Sequence, residues 1–155
     1  MSEKKMGMTK EEIRKSLHQC SYGVLSMVEE GGKPYGVPLN YFYLEEEQAL
    51  YIHCGKKGRK IRSLAVNPQV SFVVVAEEKI VEELFTTSYR SVIVEGRASF
   101  VEAEQEKRRL LHILCERLAP TAVERREEVV EKYLPAVAMI RIDMEAVSGK
   151  VHEAE

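Results

Sequence analysis

A chain of 155 residues, 45% hydrophobic and 31% charged, has the size and balance of one globular domain that can bury a core without cross-links. A net charge of −2 argues against a dedicated nucleic-acid binder, which carries a strong basic excess. Cys20, Cys54 and Cys115 are widely spaced without a C-x-x-C, the charged start "MSEKKMGMTKEE" has no signal-peptide core, and no apolar run approaches the ~18 residues of a membrane span, so a cytoplasmic protein with free thiols and no membrane partner is expected.

The chain opens with "TKEEIRKSLHQC", where Thr9 and Glu12 form a capping-box pattern and Ile13, Leu17 and Cys20 recur at helical spacing. "YGVLSMV" and "YGVPLNYFYL" read as a hairpin closed by "EEGGKP". Pro38 cannot donate to a ladder, which predicts an edge strand or a break. In the next strand, "ALYIHC", alternation sets Leu50, Ile52 and Cys54 against Tyr51 and His53. "GRKIRSLAVNP" follows as a helix with Ile61, Leu64 and Ala65 on its apolar face. "QVSFVVVA" reads as a strand buried on both faces. Residues 77–88 are expected as a loop or bent connection.

"YRSVIVEGRASFVE" is a long strand in which Gly96 signals a bulge or a close approach to the backbone. Two helices come next, the first with Leu110, Leu111, Leu114 and Leu118 on one face, the second in the charged "TAVERREEVVEKYLP". "AVAMIRIDM" is a last strand, and "SGKVHEAE" reads as a polar tail. Short connections between successive strands imply antiparallel pairing. The pattern therefore predicts a single domain over 1–155, mainly β with peripheral helices, in which six antiparallel strands close into a small barrel.

Charge gathers in "YIHCGKKGRKIRSL", where Lys56, Lys57, Arg59, Lys60 and Arg62 fall within seven positions. The unpaired amides and positive dipole end of a helix N-terminus attract anions, and Gly58 would let the backbone approach a phosphate. Arg59 and Lys60 in a first helical turn are unfavourable for the helix unless an anion offsets them. A solvated basic turn is the plain alternative, and no Walker A loop is present.

Read together, "GVPLNYFY", "LYIHCGKKGRKIRSLAVNPQVSFVV" and "YRSVIVEGRASFVE" resemble the pyridoxamine 5′-phosphate oxidase-like FMN-binding split-barrel flavoproteins, most of all the branch named for 5-nitroimidazole resistance. The resemblance spans about residues 9–143 and implies FMN as cofactor. It implies that the strand with Val37, Pro38, Leu39 and Asn40 lies along the flavin, that His53 and Cys54 stand beside it, and that Arg59 and Lys60 grip its phosphate. Tyr89, Arg90 and Ser91 match a segment that reaches the cofactor from the partner subunit, so a homodimer acting on a small molecule is implied. True pyridoxamine-phosphate oxidases carry a Trp- and Arg-containing C-terminal segment. This sequence has no Trp, which speaks against vitamin B6 oxidation.

The resemblance leaves three functions open: an FMN-dependent oxidoreductase reducing acceptors such as nitro groups, a non-catalytic flavin or haem carrier, and a deazaflavin (F420) reductase. His53 is the candidate catalytic group, as a proton donor or substrate contact; otherwise it is an exposed strand-end histidine. Basic neighbours are expected to lower the pKa of Cys54. His112 and Cys115 are set three apart on a helix but lack a second pair at zinc spacing, so they are read as packing and no metal site is assigned. His18 and Cys20 are likewise structural, and Met1, Met6 and Met8 are assigned no role.

Overall fold

The computed structural model describes residues 6–155. Thr9 caps α1 (Lys10–Gln19) through the expected reciprocal bonds with Glu12, and Leu17 is its buried anchor. Three further helices follow, α2 (Arg59–Val66), α3 (Glu104–Leu118) and α4 (Arg126–Tyr133). The strands are β1 (Met6–Gly7), β2 (Tyr22–Val28), β3 (Pro34–Asn40), β4 (Phe42–Leu44), β5 (Ala49–Gly55), β6 (Gln69–Val81), β7 (Thr86–Phe100) and β8 (Val137–His152).

Every pairing is antiparallel, in the order β3-β2-β6-β7-β8-β5-β4, with β1 added to β8. Only Tyr41 separates β3 from β4, yet these strands are the two ends of that order. The sheet must therefore curl until its edges meet. The result is a split barrel, closed by the chain but not by a continuous ladder. Tyr41 fixes the corner: its amide donates to the Ser21 carbonyl, its hydroxyl donates to the Leu17 carbonyl at 2.5 Å, and its ring meets Phe72 edge-on. The expected break near Pro38 thus falls three residues later, and Pro38 itself lies in an edge strand.

Alternation sorts the core. Leu25, Met27, Leu50, Ile52, Phe72, Val74, Val92, Val94, Ile140 and Ile142 fill the barrel with Leu17 and Leu64. Tyr51, Phe42, Leu44 and Met139 face outward and are covered by Leu110, Leu111 and Leu114 of α3 and Val130 and Leu134 near α4. A polar clasp beside them ties α3 to the sheet. The Tyr51 hydroxyl donates to Glu47, Arg141 donates to both, and Arg109 donates to Glu47 at 2.9 Å.

Several elements depart from the sequence pattern, each for a physical reason. Residues 77–88 form a two-stranded arm, Glu77–Val81 paired with Thr86–Arg90 around a single 3-10 turn at Glu82–Leu84. Residues 145–152 continue β8 along β7 and β1. Neither stretch has a buried face along most of its length, so neither carries the hydrophobic alternation by which strands are read. These stretches lengthen β6, β7 and β8, while the count rises from six strands to eight among the described residues because β1 is added and the expected strand over residues 35–44 divides at Tyr41 into β3 and β4. Met8 packs on the core beside Gly149 rather than lying free, whereas Met1 is outside the described residues. On α2 the buried pair is Ser63 and Leu64, and Ala65 faces solvent. On α3, Leu118 escapes the apolar face at the helix end.

One departure bears directly on function. In β6, Val70, Phe72 and Val74 point into the barrel, but Val75 is 57% exposed and Val73 is only partly covered. The register sets Pro38, Val24, Val73 and Ile93 in one row across β3, β2, β6 and β7. With Tyr22 this makes an apolar outer face that nothing among the described residues covers.

Candidate functional site

The basic run lies where β5 hands over to α2. Gly58 caps the helix at φ 132, in the region that favours glycine, and no side chain caps the first turn. Those amides stay available to an anion. Arg59 does not extend into solvent at random. Its Nε and Nη2 donate to the two carboxylate oxygens of Glu29 at 3.0 and 2.5 Å, and its guanidinium lies 3.8 Å above the Tyr35 ring centroid. The fork is thus held between the β2–β3 turn and β3, with Nη1 left over. Glu29 in turn is kept below the usual carboxylate range by the Arg59 hydrogen bonds.

Among the described residues β3 pairs only with β2, so one edge of its backbone faces the split. Val37 and Leu39 turn inward against the core, while Pro38 and Asn40 turn outward. The Asn40 amide nitrogen donates to the Ser21 carbonyl at 3.0 Å and steadies the strand before the Tyr41 corner. Tyr35, under Arg59, belongs to the same strand, so α2 and β3 meet at this mouth of the barrel.

His53 and Cys54 end β5 but point to opposite faces. Cys54 packs with the barrel interior on the side of Lys60. Burial raises its pKa, and Lys60 opposes that only in part, so the thiolate expected from its basic neighbours is not favoured. His53 shares the helix-facing side with Tyr51, opposite Met139 in the register. Its Nδ1 is buried without a hydrogen-bond partner among the described residues, and desolvation lowers its pKa. A neutral imidazole with an unspent ring nitrogen is the result.

That depression has a definite sign for stability. The unfolded chain takes up a proton near the usual ~6.5, and the folded chain resists it. The stability that a neutral His53 contributes is present above that value and is lost as pH falls towards the depressed folded value. Urea midpoints across this window are expected to fall more steeply for the wild type than for His53→Ala; parallel curves would show that burial of His53 is not felt.

Tyr89, Arg90 and Ser91 are not part of this mouth. They pair with His152, Val151 and Lys150, whereas His53 pairs with Met139. Along β8 that is eleven to thirteen residues, roughly 36–43 Å of extended chain. Tyr89 packs near the His152 ring, and Arg90 bonds Glu153 at 2.5 Å with Glu77 and Glu12 at 3.3 and 3.7 Å. Val37, Leu39, Cys54, Arg59 and Lys60 therefore gather at the mouth, with His53 on the other face of β5. Glu29 and Tyr35 complete it; both lie over twenty positions from Arg59, and nothing in the local pattern pairs them with it.

A family model described as pyridoxamine 5′-phosphate oxidase matches residues 9–151. The chain belongs to the pyridoxamine 5′-phosphate oxidase family. Within this fold it is similar to a candidate 5-nitroimidazole antibiotic resistance protein from Bacteroides thetaiotaomicron, at 25% identity over 97% of this chain and 89% of that one, TM-score 0.79. It also superposes on a flavocytochrome from Azotobacter vinelandii, at 21% identity over 94% of this chain and 68% of the other, TM-score 0.79. A FAD- and haem-binding protein from Mycobacterium smegmatis aligns at 22% identity over 98% and 75%, TM-score 0.78. These two likenesses bear on the fold. No curated protein matches the chain. Among the described residues no helix is long and apolar enough to cross a membrane.

Proposed function

We propose that the chain is a homodimeric FMN-binding oxidoreductase that reduces small acceptors of the nitro class. The observation that carries this reading is the mouth itself: free first-turn amides behind Gly58, with Arg59 held beside them on Tyr35 and Glu29. A phosphate seated there would take the α2 amides, the free Nη1 of Arg59 and the Lys60 ammonium. The residues present fit the group, and the family match and the neighbours described as FAD-binding support a flavin here. FMN would supply the two-electron redox centre.

The chain's own residues bind, orient and shield. Glu29 and Tyr35 hold the Arg59 fork, so little side-chain entropy is lost when it meets an anion. β3 offers its free edge, and Val37 and Leu39 keep water from that side. His53 stays neutral at pH 7 and offers a ring nitrogen for a proton or a polar substrate atom. Support for nitro acceptors comes from the Bacteroides relative.

Two features favour a second copy. Tyr89, Arg90 and Ser91 lie on β7 away from the His53 row of their own chain, and the face with Tyr22, Val24, Val75 and Ile93 is uncovered among the described residues. An isologous pair would bury that face and bring the three residues to the partner's mouth. Purified protein is expected to sediment as a dimer with a flavin band near about 450 nm and to turn over a nitroaromatic with a nicotinamide reductant. A Soret band alone assigns a haem carrier, a band near about 420 nm without flavin assigns a deazaflavin, and a flavin-loaded monomer removes the partner's role.

A further inference from the structure

Phe85 stands at the tip of the β6–β7 arm, 97% exposed, with φ 50. A bulky residue in the left-handed region is unusual, and an apolar side chain in water gains nothing there. The chain contains the same turn a second time. At Glu45–Glu47 a 3-10 turn likewise ends on a left-handed residue, Gln48 at φ 47. The Gln48 side chain is put to use, donating to the Glu45 carbonyl at 2.7 Å and the Tyr43 hydroxyl at 3.2 Å. Phe85 holds the equivalent position almost wholly exposed, beside Ile80, Glu82, Thr86 and Thr87 of its own arm.

The arm is also acidic, with Glu77, Glu78, Glu82 and Glu83 against Lys79 and Arg90, and Arg90 sits at its base beside Glu77, so the tip carries only Glu82 and Glu83. Its exposed Ile80 and Leu84 continue the uncovered apolar face of Val75 and Ile93 out to Phe85. At the opposite end of the barrel lies a groove of about 420 Å³ that is apolar inside and carries two lysines against one glutamate at its rim. Ile61, Phe100, Val137 and Met139 line it, and Lys56, Lys107 and Glu102 stand at its rim. Neither lysine closes an ion pair among the described residues. Burial, and after it the neighbouring Lys56, hold Lys107 below the usual lysine range, and Glu102 and Glu104 oppose this in part.

We propose that the acidic arm of one copy seats Phe85 in the lysine-rimmed groove of a second copy, with Glu82 and Glu83 meeting Lys56 and Lys107. The arm cannot serve its own groove, because Thr86 and Phe100 end β7 fourteen residues apart, roughly 45 Å along the strand. A two-fold axis answers this, as arm and groove at opposite ends of each copy pair reciprocally, twice per dimer. An acidic arm is repelled by an anionic bilayer, which sets a membrane aside as occupant. The inference rests on the homodimer reading and deepens it by naming the contact.

The test separates the two. Phe85→Cys and Glu102→Cys chains, mixed and treated with a short bismaleimide, are expected to give a covalent dimer that neither variant nor the native chain gives alone. Phe85→Ser is expected to raise the dimer dissociation constant about 10- to 100-fold by sedimentation, with an unchanged circular dichroism spectrum. Lys56→Glu with Lys107→Glu, or Glu82→Lys with Glu83→Lys, each weakens the dimer about tenfold or more, and the four together restore it. A native dimer that shows no such cross-link and no rescue overturns the arm contact and leaves the dimer standing. A native monomer overturns both. Binding of the native arm to anionic vesicles, lost in Phe85→Ser and without a cross-link, reassigns Phe85 to a membrane and also overturns the proposal.

Discussion

Arg59→Ala combined with Lys60→Ala is expected to strip FMN from a protein that still folds. Arg59 is exposed, and its pair with Glu29 is of the kind that contributes little to folding. Lys60 is half-buried near Cys54 without a resolved partner to leave stranded. The fold should therefore tolerate both changes. A ligand phosphate should not, because each charge-assisted contact accounts for roughly a tenfold or larger factor in affinity. Losing two raises the FMN dissociation constant about 10²-fold, with non-additivity between adjacent residues limiting the product.

The controls make the result specific. Lys57→Ala removes an equal charge from the same loop, before the helix begins, and should change FMN binding much less. Riboflavin lacks the phosphate and should bind the wild type and the double variant about equally. Fluorescence titration of the three proteins with both flavins reads all of this. A double variant that binds FMN like the wild type would return the basic run to a solvated turn. A loss shared equally by riboflavin would move Arg59 and Lys60 from the phosphate to the ring or to the fold.

What the sequence discloses here follows the range of the interactions. The capping box at Thr9 and Glu12, the two faces of β5 and the buried leucines of α3 are set by residues three or four apart or by strict alternation, and they stand where the pattern puts them. The Arg59 clamp is different in kind. Glu29 is thirty positions away and Tyr35 twenty-four, and both arrive only because the β2–β3 hairpin folds over the start of α2. The Cys54 thiol misleads for the same reason: its charged neighbours are visible in sequence, whereas the burial that outweighs them is not. In β6 the apolar run reads as buried twice, yet one face is bare in the single chain. Alternation shows which residues share a face, but not whether anything packs on it, so the expected burial of both faces holds for Val70, Phe72 and Val74 and fails at Val75.

Gly96→Ala is expected to be among the most damaging single-methyl additions in the chain. At Gly96 the β7–β8 register slips, with Glu95 opposite Ala146 and Gly96 opposite Met144, so Glu145 is the extra residue of a bulge on β8. The bulge carries the β8 backbone inward. A Cβ on Gly96 would fall on the Asp143 carbonyl oxygen and within 2.9 Å of Ile142 Cγ2. Backbone cannot rotate aside as a side chain can, so either the ladder or the bulge must shift. The cost is expected at roughly 2–3 kcal/mol, a fall of about 4–12 °C in Tm for a domain of this length. Gly7→Ala supplies the contrast. It also lies in a strand against β8, but nothing stands within 4 Å of the position its Cβ would occupy. That change should be neutral within about 0.5 kcal/mol, or slightly stabilising through the unfolded chain. Thermal and urea unfolding of the two variants measure the difference directly. Equal stability of Gly96→Ala and Gly7→Ala would mean that β8 does not press on Gly96, and that the long β7–β8 ladder carrying Arg90 and Ser91 runs in another register.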